Sequence, residues 1–134
     1  MSDLPFLSDD SVRNRTIDLF CGEISKLNCD TLVASQSADI ALASPIANRL
    51  AMPLVYLDTD EKVGGELSST QGLYGKSVVL ILVRVEEMKK IVTTVKKVRS
   101  NGAYLQNAIL LAEPDQELQR RLKKLGISWV RVAT

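Results

Sequence analysis

The 134-residue chain contains no histidine. That removes the usual general base near neutral pH, the Ser–His and Cys–His nucleophile pairs, and the commonest metal ligand. Cysteine is scarce too: Cys21 and Cys29 stand alone, with neither Cys-x-x-Cys nor zinc-ligand spacing. This pattern predicts two reduced thiols in a cytoplasmic protein and no metal site. Long apolar runs are missing, since Val78 to Val83 is the longest and is far too short to cross a bilayer. Met1 is not followed by a basic-then-apolar leader, so no secretory signal is expected. A net charge of +1 supplies no global field towards nucleic acid or membrane, and neither is expected as a partner.

What the chain does have is ordinary globular composition, 46% hydrophobic and 25% charged, which excludes disorder. Its length fits one domain, residues 1–134, able to bury about two-thirds of its unfolded surface. Ser8 to Asp10 predicts the cap of a helix running to about Leu27, within an N-terminal helical segment 1–28; Val12, Thr16, Ile17, Phe20, Ile24 and Leu27 form its apolar side. Thr31 to Ala34 reads as a buried strand. Asp39 is expected to cap the next helix, with Ile40, Ala43, Ile46, Ala47 and Leu50 inward. Pro53 to Leu57 is a second strand. Residues 58–76, holding four of the seven glycines, read as a flexible loop.

Val78 to Val83 is branched and aliphatic throughout, as a central strand covered on both faces should be. A helix is expected from about Glu86 to Ser100, with Met88, Ile91, Val92, Val95 and Val98 inward and Asn101-Gly102 ending it. Strand Ala108 to Ala112, a helix from Pro114 to Leu125, a stop at Gly126 and strand Ile127 to Val132 complete the chain. Alternating strands and helices of these lengths predict a three-layer α/β fold. Its five-stranded sheet is mainly parallel, with helices on both faces and right-handed crossovers.

In such sheets ligands sit beyond the carboxyl ends of the strands, so two turns matter most. Ser35-Gln36-Ser37-Ala38-Asp39 offers hydroxyls, an amide and backbone N–H groups for an anion but no glycine, which a phosphate cradle normally needs. Arg84-Val85-Glu86-Glu87-Met88 has neither glycine nor hydroxyl, and its carboxylates suit a helix N-terminus while repelling phosphate. Neighbouring helix positions do not share a face, which argues against Glu86 and Glu87 as an acid/base pair or metal ligands. The clusters Lys89, Lys90, Lys96, Lys97, Arg99 and Arg120, Arg121, Lys123, Lys124 lack interleaved aromatics and read as solvated helix surface. Trp129 reads as core or interface packing.

The stretch LVASQSADIALASPIANRLAMPLVYLDTDEKVGG resembles the pyrophosphate loop, following helix and next strand of the type I phosphoribosyltransferases, orotate phosphoribosyltransferases above all. GLYGKSVVLILV resembles the lead into that family's signature strand, and VRSNGAYLQNAILLAE with LKKLGISWVRV its closing helix–strand pairs. The resemblance covers about Cys29 to Thr134. It implies an acidic pair holding the ribose hydroxyls of phosphoribosyl pyrophosphate, at Leu82 and Val83 here, and a Thr/Gly-rich loop around the 5-phosphate, at Glu86, Glu87 and Met88. Every one of these positions departs from the pattern. Of the basic approach to the flexible loop, at Asp58, Thr59 and Lys62, only Lys62 is positive.

One oxyanion donor is worth about 3 kcal/mol, so losing several should abolish turnover. The expectation is an orotate phosphoribosyltransferase-like protein without ordinary catalysis, a nucleotide-binding, regulatory or partner subunit in nucleotide metabolism. Its expected ligand groups are Ser35, Gln36, Ser37 and Lys62, with no resident cofactor and magnesium needed only if it is active. The resemblance implies a homodimer, or a heteromer with an active paralogue. The alternatives are an active transferase with a relocated site and a pure interaction module.

Overall fold

The structure, a computed structural model, describes residues 9–56 and 73–132. Most of the loop read at 58–76, Lys62 included, lies outside the described residues. After an opening helix α1 (Asp10–Ser25), strands and helices alternate as β1 (Thr31–Ala34), α2 (Ser37–Leu50), β2 (Leu54–Tyr56), β3 (Ser77–Leu82), α3 (Met88–Ser100), β4 (Tyr104–Leu110), α4 (Gln116–Lys124) and β5 (Ser128–Arg131). The strands form one sheet in the order β2-β1-β3-β4-β5, and each neighbouring pair is parallel. The expected three-layer α/β architecture is therefore present.

Two cores sandwich the sheet. On one face Ile17, Phe20 and Ile24 of α1 and Leu42, Ala43 and Ile46 of α2 pack on Leu32, Ala34, Val79, Ile81 and Ile109. On the other, Ile91, Val95 and Val98 of α3 and Leu118 and Leu122 of α4 pack on Val33, Val78, Leu80, Leu82 and Leu110. Alternate residues of β3 thus feed opposite cores, which is why that strand tolerates no polar side chain between Val78 and Leu82.

The cap of α1 falls within the expected Ser8–Asp10 span, whereas several later elements start elsewhere than expected. Asp9 caps α1, its carboxylate accepting from the Ser11 and Val12 amides. Asp39 does not cap α2: Gln36 holds the N-cap position and Asp39 lies inside the first turn, fully buried. Helix α3 begins at Met88 and not Glu86, with Glu87 at the N-cap position. Pro114 precedes the cap of α4, where Asp115 accepts from the Leu118 amide. Strand β4 begins four residues before Ala108, because a bulge opposite Val78/Val79 skips Gln106 and reverses which residues face the core. Trp129 is not in the core; it lies on the edge strand β5, 37% exposed.

Asn101-Gly102 ends α3 as expected, with Gly102 at φ +89°. A Cβ there would lie 2.4 Å from the Tyr74 ring, and L-residues resist that backbone region. Gly102→Ala should therefore lower stability by about 1–2 kcal/mol in urea denaturation. No loss would mean that the turn relaxes freely.

Candidate functional site

The sheet changes direction between β1 and β3. From β1 the chain runs outward to β2 through α2 on one face, and from β3 it runs to β4 through α3 on the other. Such a topological switch point splays the following turns apart and leaves a crevice where ligands of open α/β sheets bind. Ala34 pairs with Ile81 in register, so the turns after β1 and β3 stand side by side at the carboxyl edge. These are the two turns singled out from sequence.

Here the crevice is bridged by the protein's own side chains. Gln36, 1% exposed, reaches from the first turn into the second. Its Oε1 accepts from the backbone N–H groups of Glu86 (2.7 Å) and Glu87 (3.0 Å). Its Nε2 donates to the Arg84 carbonyl (2.8 Å) and to Asp39 Oδ2 (3.1 Å). Asp39 Oδ1 accepts from the Val83 N–H (2.8 Å), and Ser35 Oγ lies 3.5 Å from Oδ2. One amide side chain thus satisfies two orphan N–H groups before α3, which would otherwise face outward as an anion site.

Asp39 is fully buried, and burial pushes its carboxyl up from 3.8 to about 6. The hydrogen bonds from Val83 and Gln36 pull in the opposite direction without cancelling that cost, and the charge of Glu86 adds to the upward push.

The remaining site residues are arranged differently. Ser35 is buried against Asp39, whereas Ser37, the first residue of α2, is exposed. The Glu86 carboxylate lies 3.8 Å from Arg84 and that of Glu87 3.2 Å from Lys90. Met88 packs on the core beneath α3. Sequence reasoning missed the role of Asp39, whose position three residues after Gln36 suits a helix cap equally well. A glutamine at a glycine-free turn after a buried strand was the available signal.

Beside these turns, a cavity of about 170 Å³ lies between the ends of β3 and β4, among Arg84, Val85, Glu113, Pro114 and Asp115. Small-molecule sites commonly occupy about 300–1,000 Å³, so this one is small for a sugar phosphate. Among the described residues no three Cys, Asp or Glu side chains gather where they could hold a metal ion. Cys21 and Cys29 are free, and burial raises both thiols, which works against a reactive thiolate.

Comparison with known proteins agrees with this fold. No protein-family model matches the chain. It is 28% identical over 120 residues to orotate phosphoribosyltransferase of Staphylothermus marinus, and 26% identical over 131 residues to that of Aeropyrum pernix. The chain is similar to orotate phosphoribosyltransferases, which are type I phosphoribosyltransferases. The alignments take in 89% and 96% of this chain but 59% and 70% of those enzymes, so it spans well under their full length. In fold, the solved orotate phosphoribosyltransferase of Aeropyrum pernix matches all of this chain and 77% of its own, with a TM-score of 0.77 at 23% identity.

Against the phosphoribosyltransferase pattern, the positions expected to carry the acidic pair are Leu82 and Val83, aliphatic and each 1% exposed. Magnesium with its sugar phosphate needs oxygen donors there. Leu82 and Val83 carry no side-chain oxygen, and the nearby Asp39 carboxylate is committed to the Val83 amide and Gln36. Those two positions do not fit that group.

Proposed function

We propose that this protein is an orotate phosphoribosyltransferase-like subunit that has lost ordinary phosphoribosyl transfer and serves a regulatory or partner role in nucleotide metabolism. The observation that supports this most is Gln36 Oε1 seated on the Glu86 and Glu87 amides. A phosphate bound at the start of α3 would have to displace it, meeting two carboxylates on the way. The aliphatic character of Leu82 and Val83 supports the same reading, because no acidic group there would orient a ribose.

Catalysis in this family is a matter of positioning and charge stabilisation, and each missing donor weakens it multiplicatively. Incubation with phosphoribosyl pyrophosphate, magnesium and orotate or a purine base is therefore expected to release no pyrophosphate above the uncatalysed rate. Magnesium-dependent turnover with any base would overturn the reading and favour a relocated site using Ser35, Ser37 and Lys62. Calorimetry with nucleotides separates the remaining roles: saturable heat supports a nucleotide-sensing subunit, and silence supports a partner subunit. The partner is a second copy of the chain or an active paralogue, and co-purification from the native source distinguishes the two.

A further inference from the structure

One member of the α3 basic cluster, Lys96, meets three of the α4 cluster, Arg120, Arg121 and Lys124, although sequence reads the two clusters as separate solvated surfaces. Both helices cover the same face of the sheet, and a groove of about 620 Å³ opens between them, lined by Val92, Lys96, Arg120, Arg121, Lys124 and Leu125. No acidic residue lines it. The side chains of Lys96, Arg120 and Lys124 make no hydrogen bond or ion pair with any described residue, and Arg121 reaches Glu117 only at 3.9 Å. The floor is apolar, from half-buried Val92 and Leu125.

Helix electrostatics account for part of this arrangement. Arg121 and Lys124 belong to the last turn of α4, where cations suit the helix dipole. The same argument does not reach Lys96, which sits in the interior of α3, or Arg120, which repels Lys124 one turn away on α4. In a chain of net charge +1, four cations on one groove are a local segregation of charge.

We propose that this groove docks an acidic amphipathic segment of a partner protein, its carboxylates on the four cations and its apolar side chains on Val92 and Leu125. An acidic peptide is favoured over a small phosphate ligand because the cations are long, exposed side chains around an open trough, with no converging backbone N–H groups to define one phosphate position. It is favoured over nucleic acid because no aromatic side chain lines the trough for a base to stack on. Charge complementarity of this kind sets partner choice and association rate. The groove is lined by the interior of α3 and the end of α4, away from the turns bridged by Gln36, so the inference stands whether or not the protein turns over substrate.

The test uses the full chain in fluorescence anisotropy at low salt. Its probe is a synthetic peptide with leucines at helical spacing flanked by glutamates; tripolyphosphate and oligouridylate compete in separate arms. The peptide should bind, weaken as salt rises, and lose about tenfold or more in affinity in Lys96→Glu/Arg120→Glu. Lys26→Glu, at the C-cap of α1, should leave binding unchanged. Should the double reversal fold poorly, Lys96→Gln and Arg120→Gln singly must each weaken binding. No peptide binding, binding indifferent to the groove variants, or tighter binding of either competing polyanion would overturn the proposal.

Discussion

Replacing Gln36 by leucine is expected to destabilise the protein by about 3 kcal/mol, an unusually large loss for a polar turn residue. Leucine preserves the volume but strips four hydrogen bonds at once. The Glu86 and Glu87 amides lose their acceptor, while the Arg84 carbonyl and the Asp39 carboxylate lose their donor. A buried polar group left unsatisfied costs about 1–3 kcal/mol, and the partial burial of this turn lets water reach some of the four groups, which holds the total below the full sum. Gln119 provides the contrast, because its Nε2 makes a single bond to the Pro114 carbonyl from an exposed position. Gln119→Leu should cost under about 1 kcal/mol. Urea denaturation of the three proteins at neutral pH gives the comparison, and equal losses for the two variants would mean that Gln36 holds nothing together.

The second large effect concerns pH. The Asp39 carboxyl titrates near 3.8 when unfolded and near about 6 when folded, so the folded state holds a proton that the unfolded chain releases between those values. Below the lower value the group is neutral in both states and its burial costs least. As pH rises towards 6, stability falls; above that the carboxylate is charged in both states and its contribution is flat. The gap of about two pH units corresponds to roughly 3 kcal/mol. Asp39→Asn keeps an oxygen for the Val83 amide but cannot titrate. The stability of the native protein minus that of Asp39→Asn should therefore drop by roughly this amount between pH 3 and 7. Subtracting the variant removes the slopes of every other carboxylate. A difference that stays constant with pH would show that Asp39 is not charged against a desolvation cost.

Both effects come from long-range contacts, and that decides how much of the site was legible in the sequence. Helix α1 and strands β1 and β3 could be read from spacing alone, since their core positions follow a period set by the local backbone. The start of β4 could not. Tyr104 to Asn107 mixes exposed and buried positions across a bulge, and no regular alternation survives it. The start of α3 lies two residues later than the sequence predicts, for a different reason. Glu86 and Glu87 look like first-turn acids, but their amides are held outside the helix by a side chain about fifty residues away in the chain. Glycine-free turns and the aliphatic Leu82 and Val83 are legible in the sequence itself and already argue against phosphate binding there. What fills the crevice instead needed the register of β1 against β3.

The account stands on the bridge from Gln36 across the switch point, and titrating ¹⁵N-labelled protein with phosphoribosyl pyrophosphate and magnesium tests it most directly. With Gln36 Oε1 already on the Glu86 and Glu87 amides, their resonances should stay in place throughout. A saturable shift of those two signals, with the ligand held at the start of α3, would contradict it.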